Sequence, residues 1–184
     1  MRAAYALMFA VALSACGDDK SVEKKDASAA EVAKSVADAG MKLKPGRWEL
    51  TTDFTKFEIE GMPPEAKKAM EQMLGQGRTY SNCLTKEEAE KPDGSFFGQE
   101  GADCRYETFK MGGGKVDATM TCKGEGPDGT TEAKMKLAGT YSADTYDMTM
   151  DMQGAAPNGK NMNMNMTMAI ASKHVGDCKG NEDS

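Results

Sequence analysis

Residues 104–122 read CRYETFKMGGGKVDATMTC, and the fold is decided there. Two strand-like runs flank Gly112-Gly113-Gly114, a hairpin turn signal. A turn centred on Gly113 sets Cys104 opposite Cys122, nine residues away on either side. Facing positions of a non-hydrogen-bonded antiparallel pair are close enough to be bridged. The stretch therefore predicts strands over 103–111 and 115–123, with a Cys104–Cys122 disulfide across them.

Toward the C-terminus the same texture continues. Strands are predicted over 131–141, 144–153 and 161–172, between turns rich in Gly, Asp, Asn and Pro. Sequential strands joined by short turns give an antiparallel meander. Toward the N-terminus, Trp48, Leu50 and Thr52 alternate with Arg47, Glu49 and Thr51, a strand over 46–54 with one buried side that Phe57 and Ile59 extend. Pro63-Pro64-Glu65 opens a helix, proline suiting its first turn and Glu65 the positive end of its dipole. Ala66, Ala69, Met70, Met73 and Leu74 form its apolar stripe, and Gly75 ends it. A short strand over 78–84 and a capped helical turn at Thr85-Lys86-Glu87-Glu88 follow. The fold class is α+β: a curved antiparallel β-sheet, meander or partial barrel, with one main covering helix, stapled by two disulfides. A single domain over 44–179 carries it, followed by a disordered tail over 180–184.

Four cysteines fall in that domain: Cys83, Cys104, Cys122 and Cys178. An even number in an exported chain implies disulfides, and with Cys104 and Cys122 paired, Cys83 and Cys178 form the second. No Cys-x-x-Cys spacing points to a metal or redox pair.

The last two strands are rich in methionine. Tyr146, Met148, Met150 and Met152 alternate with Asp147, Thr149 and Asp151. Met162, Met164, Met166, Met168 and Ile170 alternate with Asn161, Asn163, Asn165, Thr167 and Ala169. Folding about Pro157-Asn158 puts both methionine rows on one face of the sheet. From residue 44 onward there are 2 Ile, 4 Leu, 2 Val and 5 Phe against 13 Met, so the rows are expected to serve as core. Two functional alternatives stand beside that: a soft-ion site for Cu(I) or Ag(I) at Met148, Met150, Met164 and Met166, and a flexible cavity for a lipophilic ligand.

The N-terminus carries an address. Arg2 precedes an apolar run over 3–13, too short to span a bilayer, and Leu13-Ser14-Ala15-Cys16 fits a lipobox. Residues 1–15 are therefore expected to be a lipoprotein signal peptide, and Cys16 the site of lipidation. Gly17 after Cys16 favours the outer membrane, facing the periplasm, over the inner. Residues 16–43, rich in Asp, Lys, Glu, Ser and Ala, are expected to form the lipidated cysteine and a flexible tether spanning roughly 30 Å. The alternative there is a docking helix over 30–39 through Val32 and Val36, ended by Gly40.

Little catalytic chemistry is in sight. Loss of residues 1–15 would take only Arg2 from the charge, moving the formal net from −6 to −7 and disfavouring nucleic acid as a partner. His174 is the single histidine, expected at the surface, and no Gly-x-Ser-x-Gly elbow, phosphate loop, dinucleotide fingerprint or EF-hand is present. No catalytic residue and no cofactor are assigned, and a hydrolase using paired carboxylates has no motif behind it.

Lys44-Pro45-Gly46-Arg47-Trp48-Glu49, Cys83-Leu84-Thr85, Met120-Thr121-Cys122-Lys123-Gly124 and Gly176-Asp177-Cys178, in this order, resemble the exported proteobacterial family known as domain of unknown function 3617. The resemblance covers about 44–179 and implies a small secreted or lipid-anchored domain with four cysteines. It implies no activity. The expectation is a non-enzymatic envelope lipoprotein, held to the membrane by its lipid, that binds a small lipophilic ligand or a protein partner.

Overall fold

The computed structural model describes residues 21–40, 42–90, 103–126, 129–155, 163–180 and 182. The expected signal peptide, Cys16 and the expected turn at Pro157-Asn158 lie outside the described residues. The elements are β1 (Val22–Ser28), α1 (Ala29–Asp38), β2 (Gly46–Ile59), α2 (Pro64–Leu74), β3 (Arg78–Leu84), α3 (Lys86–Glu90), β4 (Asp103–Gly112), β5 (Lys115–Gly126), β6 (Gly129–Tyr141), β7 (Thr145–Ala155) and β8 (Asn163–Gly176). All eight strands join one antiparallel sheet in the order β1-β4-β5-β6-β7-β8-β2-β3. The predicted meander is thus the centre of the sheet. β2 returns to pair with β8, and the sheet stays open, with β1 and β3 as its edges, so no barrel closes.

The decisive hairpin forms by a route the sequence reading did not contain. Gly113 and Gly114 both have positive φ, 56° and 72°, and make a two-residue loop with Gly112 opposite Lys115. Such loops match the twist of the flanking strands and need residues that tolerate positive φ at both places. That register alone would set Cys104 opposite Lys123. An extra residue in β4, Glu107, shifts the pairing between Tyr106 and Thr108, so Cys104 meets Cys122 after all. The bulge also turns Tyr106 to the same face as Phe109, which strict alternation forbids. Cys104–Cys122 is bridged with Cα atoms 4.0 Å apart, and Cys83–Cys178 with Cα atoms 5.4 Å apart.

A second bulge, at Thr55 in β2, sets Phe54 opposite Met168 and Phe57 opposite Met166, again on one face. With both bulges in place, rows of facing side chains cross the sheet. One runs Tyr106, Met120, Met135, Met152, Met166, Phe57; the next runs Phe109, Ala118, Leu137, Met150, Met168, Phe54.

Two expectations are corrected. Residues 16–43 are not a tether throughout: 22–28 pair with β4 as an edge strand, and 29–38 form the helix that covers the core. The helix holds because Val32 and Val36, one turn apart, are buried against Tyr106, Phe109, Val116 and Ala118. Its start is a capping box. The Ser28 N–H donates to the Glu31 carboxylate at 2.8 Å, and the Glu31 N–H to Ser28 Oγ at 3.3 Å. Conversely, α2 starts and stops where expected but does not cover the sheet: none of its residues is buried, and Met73 is 56 % exposed. It follows β2 and sits beside the lower half of that strand, where β3 no longer pairs. The capped turn at Thr85 does form, as α3, with Thr85 and Glu88 exchanging hydrogen bonds. Of the expected tail, Gly180 and Glu182 are described, and the Glu182 carboxylate accepts from the Gly180 N–H at 2.9 Å.

Candidate functional site

The packed core occupies only part of the face. α1 lies over β4, β5 and β6, where Val32, Phe109 and Met135 are 0–2 % exposed. Met148 marks the border, being partly buried against that cluster. Met150 and Met152 are likewise partly buried, against Cys104, Cys122 and Met135, and beyond them Met164, Met166 and Met168 are half-buried, as are Phe54, Phe57 and Ile59 of β2. These side chains share one face by alternation along β7 and β8 and, in β2, through the Thr55 bulge, and no charged residue interrupts them between Met148 and Ile59. The expected core role of the methionines is met at Met135 and in part along β7, where Met148, Met150 and Met152 pack against the buried clusters; Met164, Met166 and Met168 of β8 continue the face as a half-buried floor. α2 walls the floor on the β2 side. Phe54, Phe57 and Leu74 there line a solvent-open cavity of about 280 Å³ together with Thr55, Lys56 and Glu58, and the Lys67–Glu71 ion pair at 3.9 Å rims it.

An apolar, Met-lined floor between two helices can seat a flexible apolar group, because thioether side chains readjust to irregular shapes at little cost. The soft-ion alternative loses its geometry. Met164 faces Gly154, six residues from Met148 along β7, so those two methionines stand about 20 Å apart and cannot share an ion. The directly facing pairs are instead Met150 with Met168 and Met152 with Met166. Among the described residues no three of His, Cys, Asp and Glu converge as a metal site.

His174, on β8 as expected, is partly exposed. It is half-buried, edge-on to Trp48 with ring centroids 5.8 Å apart, and its Nε2 lies 3.0 Å from the Pro45 carbonyl. That carbonyl can only accept, so Nε2 carries the proton in this contact. Tyr146 of β7 stacks on Trp48 with ring centroids 5.8 Å apart, and burial pushes its phenol above the ordinary tyrosine range, keeping it neutral. This is structural packing at the end of the sheet opposite Ile59.

Sequence reasoning missed the walls, not the floor. The Ser28-Ala29-Ala30-Glu31 capping box ahead of Val32 was the available signal for α1. No helix among the described residues is long and apolar enough to cross a membrane. A protein-family model described as "Protein of unknown function (DUF3617)" matches residues 43–178. Neither the curated proteins nor the solved structures compared with the chain gave a match.

Proposed function

We propose that this chain, which belongs to the DUF3617 family, is a non-catalytic lipoprotein of the cell envelope that binds an apolar ligand on its methionine face. The observation that supports the reading is the floor itself: a run of Met and Phe side chains left half-buried beside the cluster that Val32 and Val36 of α1 close. A patch of this kind costs solubility and is kept where something binds. The lipobox at Cys16 supports the envelope address, and Gly17 the outer membrane.

The test uses the mature full-length protein, an environment-sensitive apolar fluorophore, and a long-chain fatty acid as competitor. Saturable fluorophore binding that the fatty acid displaces is expected. Met150→Glu with Met168→Glu should weaken it by at least about tenfold, since each would set a carboxylate in the apolar floor. Binding that the double variant leaves unchanged refutes the assignment of the site. For the anchor, Cys16→Ala should move the protein from membranes to the soluble periplasm.

A further inference from the structure

The methionine face changes character toward the start of β2. Residues that face one another across antiparallel strands share a side of the sheet, so the pairings of β7, β8, β2 and β3 set out successive rows on that face. The row of Met150, Met168 and Phe54 is wholly apolar. The next runs Met148, Ile170, Thr52, Arg78, and the one after it Tyr146, Ser172, Leu50, Tyr80. β3 begins at Arg78, and beyond it the place beside β2 is taken by α2. The apolar floor thus ends at an arginine and a row bearing hydroxyls.

Arg78 is the one side chain with a permanent charge on this face of the four strands. All the acids of the same strands, Glu49, Asp53, Glu58, Asp147 and Asp151, are set on the other face by alternation. Glu49 is paired there with Lys173, and Asp53 lies against Gly77. Glu71 of α2, at the rim of the cavity beside Phe54, is paired with Lys67. Arg78 itself is exposed and has no ion-pair partner among the described residues. An unpaired cation at the end of an apolar run is complementary to a molecule whose apolar chain ends in an anion.

Resting on the apolar-ligand reading of the floor, we infer that the ligand is a long-chain carboxylate, its chain along Phe54, Phe57 and the β8 methionines and its head against the Arg78 guanidinium. A guanidinium presents a planar fork of donors that matches a carboxylate with two parallel hydrogen bonds. Tyr80, two residues along on the same face of β3 and 40 % exposed, adds a phenol hydroxyl that can donate to the same head.

Two competitors with one chain, hexadecanoate and its uncharged methyl ester, test this against the apolar fluorophore on the mature full-length protein. Hexadecanoate should compete about tenfold more tightly than the ester, as one charge-assisted contact allows. Arg78→Gln should erase that difference by weakening hexadecanoate and leaving the ester where it was. Its urea midpoint should match wild type, because an exposed, unpaired side chain is lost. Equal affinity of the two competitors in wild type, a gap that survives in Arg78→Gln, or a loss that strikes both alike overturns the head-group assignment and leaves the floor reading standing. Arg78 would then serve only to keep other sheets from the open edge of β3. If neither competitor displaces the fluorophore, the floor reading falls, and this inference with it.

Discussion

The two halves of this sheet obey the same alternation and end differently. On the β4–β6 side, Val32 and Val36 of α1 close over Tyr106, Phe109, Val116 and Ala118, and that cluster excludes solvent. On the β7–β8–β2 side the inward positions are just as apolar, yet Met150, Met152, Met166, Met168 and Phe57 remain half-buried. The covered half is closed mainly by branched and aromatic side chains, with Met135 of β6 buried beside them, and their few rotamers suit a permanent contact. The open half uses methionine, whose three rotatable bonds suit a contact that changes. Period-two patterning marks a face that avoids water. Residue shape along that face tells whether the cover is built in.

The sharpest way to break the comparison is to truncate matched aromatics in the two halves. Phe109→Ala should cost about 3–5 kcal/mol in urea unfolding, because it empties a site that is 1 % exposed. Phe57→Ala, half-buried on the floor, should cost about 1 kcal/mol, since less surface returns to water. Equal costs would mean that the open half is packed as tightly as the covered one.

A smaller effect separates the disulfides. Cys83–Cys178 closes 95 residues and ties β3 to the chain just past β8, on the open half; Cys104–Cys122 closes 18 within one hairpin. Loop closure makes the longer bridge worth about 1.5 kcal/mol more. The paired alanine variants should differ in that direction, by less than the full amount, since Cys104 and Cys122 also pack against Met135. A larger loss from the hairpin pair would place the weak point in the covered half.

The smallest effect concerns how α1 is held. The Ser28 N–H bonded to Glu31 keeps that carboxyl below its ordinary 4.5. A carboxyl lowered by folding stabilises the fold above its unfolded value, and this contribution disappears as pH falls through the lowered one. Wild type should therefore lose a little stability in acid below about pH 4.5 that Glu31→Gln, already lacking the charge, does not lose. Thermal unfolding of both proteins across that range reads the difference. Parallel curves would show that the cap does not contribute.

How legible was this in the sequence? The strands were, because alternation is local. The Cys104–Cys122 pair was named correctly from a turn centred on Gly113, whereas the real turn is Gly113-Gly114 and Glu107 supplies the compensating residue. A bulge is favoured by what its neighbours gain across the sheet, here Tyr106 and Phe109 facing the core together, and no local signal carries that. Two amphipathic helices were visible, and the wrong one was given the cover. Periodicity shows that α1 and α2 each have an apolar stripe. Which stripe is buried depends on where the chain enters and leaves the sheet, and β1 beside β4 was hidden in a stretch as charged as a linker. The spacing of the four methionines considered for a soft ion was hidden in the same way: Met148 and Met164 share a face, but strand register sets them far apart.

The central claim is that the methionine rows of β7 and β8, packed against the core on the β6 side, remain open to a ligand toward β2. Methionine oxidation by dilute peroxide, mapped by peptide mass against time, tests it residue by residue, because thioether oxidation follows access. Met150, Met152, Met164, Met166 and Met168 should oxidise much faster than Met135 in the folded protein, and a long-chain fatty acid should protect those five while leaving Met135 unchanged. Uniformly slow oxidation of all six, with or without the fatty acid, would contradict the account and return the methionines to the core.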